Sequence, residues 1–457
     1  MQQLKTAPIF TNRQLVTLLW PLVIEQALNV LVGMADTMMV SSAGEAAISG
    51  VSLVDMINQL IITVFGALAT GGAVVTSQLL GAQKPKEAAA SAGQLVTLSA
   101  ILGTAVAAFC LLTRTHLLRL FFGSIDADVM AAALLYLTIT ALSFPFLALY
   151  NAGAAIFRST GNSAVSMRVS ILVNLINFCG NALCVYGLHM GVAGVAVPTL
   201  ISRAVGAVVI LALAARPGYL LRLTPHTVAR LEPATARSIL RIGGPSACEN
   251  SLFQLGRVLV VSMISLFGTV HISANAVANN LDGVGCIIGN AMGLGMITVI
   301  GRCVGAQDFA QTTHYTKKLL RWTYVSQGLL NAVILLALDP LLSLYTLSPE
   351  TYALSAQLVW IHVGIAILIW PLAFVLPNAL RAANDVRFTM LVSVISMLVW
   401  RLAFSQVLCV QLGWGALGVW WAMILDWVCR TICFVVRFAS GAWKRHAVSS
   451  KRETRTH

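Results

Sequence analysis

The sequence repeats itself at one long, constant interval. Pro21 and Glu25 in the first half recur as Pro245 and Glu249 in the second half, 224 residues later (245 − 21). The Gly-Ala-Gln tripeptide that begins at Gly81 recurs at the same displacement. A repeat of this length, ungapped between these positions, predicts that the chain folds as two similar halves.

The composition indicates that both halves lie in a membrane. Of the 457 residues, 58% are hydrophobic and only 10% are charged, and the mean hydropathy is +0.84. Soluble domains have about 25% charged residues. A helix needs roughly 20 apolar residues to cross a bilayer. Six such stretches are predicted in each half, at residues 15–40, 47–79, 94–112, 131–156, 166–187, 192–215, 239–267, 272–301, 322–345, 353–379, 389–411 and 415–437.

One polar break separates the two sets of helices. Residues 216–238 combine prolines with charged residues, which is typical of a linker. We therefore predict an N-lobe over residues 1–220, a cytoplasmic linker over 221–238, a C-lobe over 239–443 and a basic tail over 444–457. The predicted fold class is an all-α integral membrane protein with twelve transmembrane helices. Its two parallel six-helix bundles are expected to be related by a pseudo-two-fold axis along the membrane normal.

The distribution of positive charge indicates membrane topology rather than nucleic-acid binding. The net charge is +13, but Lys and Arg are concentrated in alternate loops, as the positive-inside rule expects. We expect a monomer in the bacterial inner membrane, with both termini cytoplasmic and no nucleic-acid partner. The nine cysteines never form a CxxC pair, which argues against a zinc site. No phosphate-binding loop or hydrolase motif is present, so we predict no enzyme activity, no cofactor and no bound metal.

Polar residues on the first helix predict an ion site. A charged side chain at mid-membrane is costly and is therefore a functional candidate. Glu25, Asn29 and Asp36 fall within about 40° of one another around a helix, so we expect this stripe to face the bundle interior. Pro21 removes one backbone hydrogen bond and is the predicted hinge.

The fifth helix offers a matching polar face. Asn174, Asn177 and Asn181 are spaced so that they share one side of the helix. Amides donate and accept hydrogen bonds, so they can hold Asp36 in either protonation state. Alternatively, the three amides only join helices, as polar residues do in bilayers. Val260 occupies the repeat position that corresponds to Asp36. The acid therefore occurs in the first half only, and we expect the coupling ion to bind there.

The remaining charged and aromatic residues suit a substrate cavity. Acids together with tryptophans can hold flat organic cations through stacking and cation–π contacts. Many of these tryptophans could instead face lipid or the interface, and Glu25 and Glu249 could have gating or structural roles. The cavity or gate candidates are Glu25, Asn29, Asp55, Glu249, Arg257, Asp282 and Trp370.

Four segments resemble the MATE (multidrug and toxic compound extrusion) family, prokaryotic type. They are Pro21 with Met34-Ala35-Asp36-Thr37, Gly81-Ala82-Gln83, Arg158 to Asn162, and Arg381 to Phe388. The resemblance implies a secondary active antiporter that exports organic cations and amphipathic drugs in exchange for H⁺ or Na⁺ by alternating access. It also implies that Asp36 is the ion-binding acid, that Pro21 kinks the first helix, and that Asn177 and Thr199 are polar partners.

Two departures from the family pattern bear on the ion. Asn181 stands where one branch often has a second aspartate, and Glu249 lies one turn earlier than the acid of the other branch. The Trp370-Pro371 region offers no acid. We therefore predict H⁺ coupling through Asp36, with Na⁺ as the alternative. The alternative functions are a flavin exporter of the same family and a flippase of a lipid-linked precursor.

Overall fold

All regular structure in the described chain is helical. The computed structural model describes residues 7–41, 44–123, 126–229, 232–345 and 347–447. Every regular element in these ranges is a helix, and most are long and apolar. The predicted all-α membrane class is confirmed.

The first half contains six long helices. Glycine, proline and short polar turns separate them, because these residues do not continue a helix or pack in lipid. Helix α5 continues through a π-helical turn at Leu183–Gly187, and the short helix α7 spans Pro225–Ala229. The six long helices are α1 (Asn12–Ser41), α2 (Glu45–Gly81), α3 (Pro85–Phe122), α4 (Ala127–Ser159), α5 (Ser163–Ala182) and α6 (Ala193–Ala215).

The second half is more interrupted. The predicted segment 272–301 is broken at Cys286 into two helices, and π-helical turns follow α13 and α15. The helices are α8 (Pro233–Ser265), α9 (Thr269–Gly285), α10 (Ile287–Gly305), α11 (Phe309–Leu336), α12 (Leu338–Ser343), α13 (Pro349–Trp370), α14 (Leu376–Ala382), α15 (Val386–Ser396) and α16 (Ala416–Ala439).

Length and apolarity mark eleven candidate membrane spans within the described residues. Six lie in the first half and five in the second. Helix α8, which covers most of the predicted seventh segment, is 33 residues long but is not among the eleven. It carries Arg237, Arg241, Glu249 and Arg257, and these charges lower its mean hydropathy.

The chain forms two compact units. The N-terminal unit is Asn12–Ala247, and the C-terminal unit joins Met1–Thr11 to Cys248–His457. In the predicted linker, α7 packs on α3 within the N-terminal unit, where the Thr97 hydroxyl donates to the Val228 carbonyl at 2.5 Å. Most of the predicted basic tail lies outside the described residues.

The repeated Gly-Ala-Gln tripeptide makes the same turn in each unit. Gln83 and Gln307 both have φ of +58°, in the left-handed region. The N–H of Gln83 donates to Leu80 O at 3.1 Å, and that of Gln307 donates to Val304 O at 3.0 Å. These bonds satisfy carbonyls that the end of a helix leaves without partners. The sequence repeat is therefore also a structural repeat at these two helix ends.

Candidate functional site

Asp36 lies where α1 packs against α5 in the N-terminal unit. Its side chain is half-buried, and its Oδ1 accepts a hydrogen bond from Asn181 Nδ2 at 2.8 Å. Asn181 is completely buried. A hydrogen bond from an amide to a carboxylate is charge-assisted and stronger than a neutral one. Pro21 lies on the same helix, four turns before Asp36.

Asn177 adds a second amide to the same carboxyl group. In the orientation that satisfies both of its polar atoms, its nitrogen lies 3.1 and 3.2 Å from the two carboxylate oxygens of Asp36. Its oxygen then accepts from the Thr199 hydroxyl on α6, at 3.0 Å. Three of the predicted partners of Asp36 therefore lie within one hydrogen-bonded group, which draws on α1, α5 and α6.

This group is compatible with both protonation states of Asp36. An ionised carboxylate only accepts hydrogen bonds, so it requires the Asn177 nitrogen. A protonated carboxyl group can donate, so it is satisfied when the Asn177 amide turns its oxygen toward Asp36. In that orientation the Asn177 nitrogen lies 3.0 Å from Thr199 Oγ1, which can accept while donating to the Val195 carbonyl. Thr199 has a partner in either case.

Two polar residues of the predicted stripes lie outside this group. Asn174 donates to the Ser170 hydroxyl at 3.3 Å rather than to Asp36. Asn29 is exposed, whereas Glu25 on the same stripe is buried. The structure thus brings Asn177, Asn181 and Thr199 to the acid and leaves Asn174 and Asn29 apart from it.

Two further charged groups, Asp55 on α2 and Arg203 on α6, act on Asp36. Asp55 accepts a hydrogen bond from the Tyr136 hydroxyl at 3.2 Å and from Asn58 at 3.1 Å. Sequence reasoning missed Arg203 and Tyr136. Arg203 could have been found, because it is a lone cation in an apolar helix, one turn after Thr199.

Glu25 and Glu249 each form an ion pair with an arginine of their own unit. Arg158 Nη1 lies 3.2 Å from Glu25 Oε1, and Ser166 donates to the other oxygen at 3.0 Å. Arg381 Nη2 lies 2.7 Å from Glu249 Oε1. Both pairs are mostly buried. The two acids are related by the repeat, and so are their arginines, so the same ion pair is built twice.

The C-terminal unit has a second acidic position lined by aromatic rings. His362 is buried, and its Nδ1 lies 3.3 Å from Asp282 Oδ1. The rings of Trp420 and Trp427 meet the imidazole edge-on, with centroids 4.7 and 4.5 Å away. The Cys286 thiol also donates to Asp282, at 3.3 Å. This acid therefore has one partner on α13 and one at the break between α9 and α10.

Other candidates of the C-terminal unit have different surroundings. Trp370 is buried and stacks on Phe374, with a centroid distance of 5.0 Å. Arg257 is exposed on α8. Of the tryptophans that could face lipid, Trp360 and Trp421 are exposed.

The groups that surround Asp36 are two amides and a hydroxyl, rather than a cluster of typical metal ligands. Within the described ranges, no three His, Cys, Asp or Glu side chains come together as a metal site. The buried Asn181 Oδ1 accepts no hydrogen bond from the described residues. One carboxylate flanked by two amides and a hydroxyl can exchange a proton, and the same oxygens could face a small hard cation.

Known proteins resemble the chain over its whole length. A model of the MatE family matches residues 21–183 and again residues 245–407. The uncharacterized transporter YisQ of Bacillus subtilis is 29% identical over 94% of each chain. The probable multidrug resistance protein NorM of Thermotoga maritima is 25% identical over 97% of this chain and 96% of its own.

Solved structures share the fold. One is the outward-facing conformation of a multidrug resistance MATE family transporter of the MOP superfamily, with a TM-score of 0.87 and 19% identity over 96% of each chain. Another is a MATE in the bent conformation, with a TM-score of 0.84, 19% identity and coverage of 97% of this chain and 96% of its own. The two family matches are displaced by 224 residues (245 − 21), which is the repeat interval found in the sequence.

Proposed function

The chain belongs to the MatE family of membrane transporters, and from this premise we propose that it is an antiporter that exports organic cations and amphipathic compounds in exchange for H⁺. It is a transporter of small molecules and not an enzyme. The proposal places the protein in a bacterial inner membrane, as a monomer with cytoplasmic termini. The probable multidrug resistance proteins among its relatives support the substrate class.

The observation that carries the proposal is the pair of amides on Asp36. A proton-coupled site has to be stable both with and without its proton, since it visits both states in each cycle. Asn181 donates to Asp36 at 2.8 Å, and the Asn177 amide can present either its nitrogen or its oxygen to the same carboxyl group. We infer that rotation of the Asn177 amide accompanies protonation of Asp36.

Helix α1 is the element that this change would move. Asp36 and Pro21 lie on it, and a proline inside a helix removes one backbone hydrogen bond and permits bending. When the carboxylate is protonated, its two charge-assisted hydrogen bonds to α5 become weaker neutral ones. We propose that this weakening lets α1 bend at Pro21 during alternating access.

The choice of H⁺ over Na⁺ rests on the number of acids. Among the described residues, the hydrogen-bonded group of Asp36, Asn177, Asn181 and Thr199 contains one carboxylate, that of Asp36. Asn181 stands where the resemblance to the family places a second acid in one branch. A single carboxylate among neutral amides carries one negative charge, which one proton neutralises. Na⁺ remains the alternative coupling ion, and flavins and lipid-linked precursors remain the alternative substrates.

The test is transport by the purified protein in proteoliposomes. A pH gradient should drive efflux of a cationic dye, and Asp36→Asn should abolish it because asparagine cannot bind and release a proton. Asp128→Asn, the same substitution at an exposed position in the first turn of α4, is the matched control and should retain transport. Loss in Asn177→Ala should exceed loss in Asn174→Ala, since only Asn177 reaches the acid.

These experiments test the coupling ion and the substrate class separately. Undiminished pH-driven efflux by Asp36→Asn would refute the coupling role of this residue. Efflux driven by an imposed Na⁺ gradient, without a pH gradient, would replace H⁺ by Na⁺. A panel that includes a flavin and a lipid-linked precursor, assayed under the same gradient, would show whether the organic-cation class is correct.

A further inference from the structure

One face of α11 carries a basic cluster with an open cavity. The cavity has a volume of about 360 Å³, and its lining residues are spaced at intervals of three and four along α11, so they share one side of the helix. Three of them, His314, Lys317 and Arg321, are exposed. The lining residues, called here the basic cluster, are His314, Lys317, Lys318, Arg321 and Trp322.

The same face continues as an apolar stripe. Beyond the basic cluster, every third or fourth residue along α11 is hydrophobic and exposed. The exposed fractions are 73% at Val325, 67% at Leu329, 52% at Val333 and 86% at Leu336. From Arg321 to Leu336 the helix rises about 22 Å, at about 1.5 Å per residue. This distance is most of the thickness of a bilayer's hydrocarbon core.

The charges of Lys317 and Arg321 are available to an external anion. Within the described residues, no carboxylate lies at ion-pair distance from Lys317 or Arg321. The Lys318 ammonium lies over the rings of Tyr315 and Trp322, at 5.9 and 5.5 Å from their centroids. Trp322 is half-buried beside the cavity, and tryptophans are enriched at membrane–water interfaces. The cations and the aromatic ring together fit a phosphate group at the membrane surface.

We propose that this face of α11 binds one anionic phospholipid, with its phosphate in the basic cluster and an acyl chain along Val325, Leu329, Val333 and Leu336. A free phosphate would use only the cations, whereas the stripe that leads away from them requires an apolar ligand. The distribution of Lys and Arg along the chain predicts that this end of α11 is cytoplasmic, where anionic lipids attract basic residues. This lipid site does not depend on which substrate is transported.

The test compares two lipids on the full-length protein in detergent. Native mass spectrometry would measure the binding of phosphatidylglycerol and of phosphatidylcholine with identical acyl chains. The wild-type protein should prefer phosphatidylglycerol. The triple variant K317Q/K318Q/R321Q should bind it about tenfold more weakly or worse, because each cation near an anionic headgroup contributes to binding. Its affinity for phosphatidylcholine should be unchanged.

A charge-matched control isolates the position of the cations. The variant K84Q/K86Q/R387Q removes the same three charges from exposed residues elsewhere and should bind phosphatidylglycerol as the wild type does. Equal loss in both triple variants would show that only net charge matters and would overturn the proposal. Equal thermal unfolding of the two variants in detergent would confirm that both are folded.

Two further arms distinguish the lipid from a free anion. Val325→Ser combined with Leu329→Ser should weaken phosphatidylglycerol binding while leaving the basic cluster intact. Inorganic phosphate at the same concentration should not displace the lipid. If the double variant binds normally and phosphate competes fully, the cavity is a free-anion site and the lipid assignment is wrong.

Discussion

Breaking the buried ion pair between Glu249 and Arg381 should destabilise the C-terminal unit strongly. The charged atoms are 2.7 Å apart, and the two side chains are only 7% and 14% exposed. Removing one member of such a pair typically costs about 3–5 kcal/mol, because the other charge stays buried. The neutral double variant should be much less affected than the sum of the single variants.

The surroundings of the two groups predict which single change is worse. Arg381→Met leaves the buried Glu249 carboxyl group without its cation, and its Oε2 has no hydrogen-bond partner among the described residues. Glu249→Gln leaves Arg381 with a hydrogen bond to Asn378 Oδ1 at 2.8 Å. We therefore expect Arg381→Met to lie near the upper end of the range of about 3–5 kcal/mol and Glu249→Gln near the lower end.

A double-mutant cycle measures the coupling. The free energy of unfolding would be determined for the wild type, both single variants and the double variant in mixed detergent micelles. We expect a coupling energy of about 2–3 kcal/mol, since the neutral pair no longer buries a charge. The control is the exposed pair Lys84 and Glu87, at 2.8 Å, for which about 0–1 kcal/mol is expected. Additive effects at Glu249 and Arg381 would refute the reasoning.

Two other contacts of the C-terminal unit give one prediction about global stability and one about local stability. Gly289→Ala would drive a methyl group into the Trp370 ring and should lower the free energy of unfolding by about 1–3 kcal/mol. Gly364→Ala, where nothing lies within 4 Å of the added methyl group, should leave the free energy of unfolding unchanged or raise it. Equal effects of the two substitutions would contradict the packing. Tyr315→Phe removes a hydroxyl that accepts from Phe10 N at 3.0 Å and donates to Phe10 O at 2.6 Å. It should speed hydrogen exchange of the Phe10 amide at least about tenfold, a loss of about 1.4 kcal/mol or more in local stability, and unchanged exchange would show that these bonds do not hold the segment.

The sequence predicted the centre of the candidate site better than its edge. Helical periodicity placed Asn177 and Asn181 on one face of α5, and the structure brings both to Asp36. Periodicity also placed Asn174 on that face, but Asn174 lies one turn before Asn177 in the helix and bonds to Ser170 instead. Angular position around a helix is fixed by residue spacing, whereas the level at which two helices touch depends on how they pack.

The partners of Glu25 and Glu249 could not be read from local patterns. Each acid meets an arginine more than 130 residues away in the sequence, and only the tertiary fold brings them together. The repeat nevertheless contained the information, because Arg158 and Arg381 are displaced by 223 residues (381 − 158), nearly the interval of the acids. An acid and an arginine that both recur in the second half of the chain could therefore have been predicted to pair.

The positions that the two halves share differ in kind from those that they do not. The shared ones are a buried ion pair and a left-handed turn at a helix end, and each satisfies groups that would otherwise be costly to bury. The repeat position of Asp36 is Val260, a buried apolar residue. A half-buried acid costs stability unless its hydrogen bonds or a function offset that cost. Since the C-terminal unit dispenses with it, the fold does not require an acid there, which favours a role in transport for Asp36.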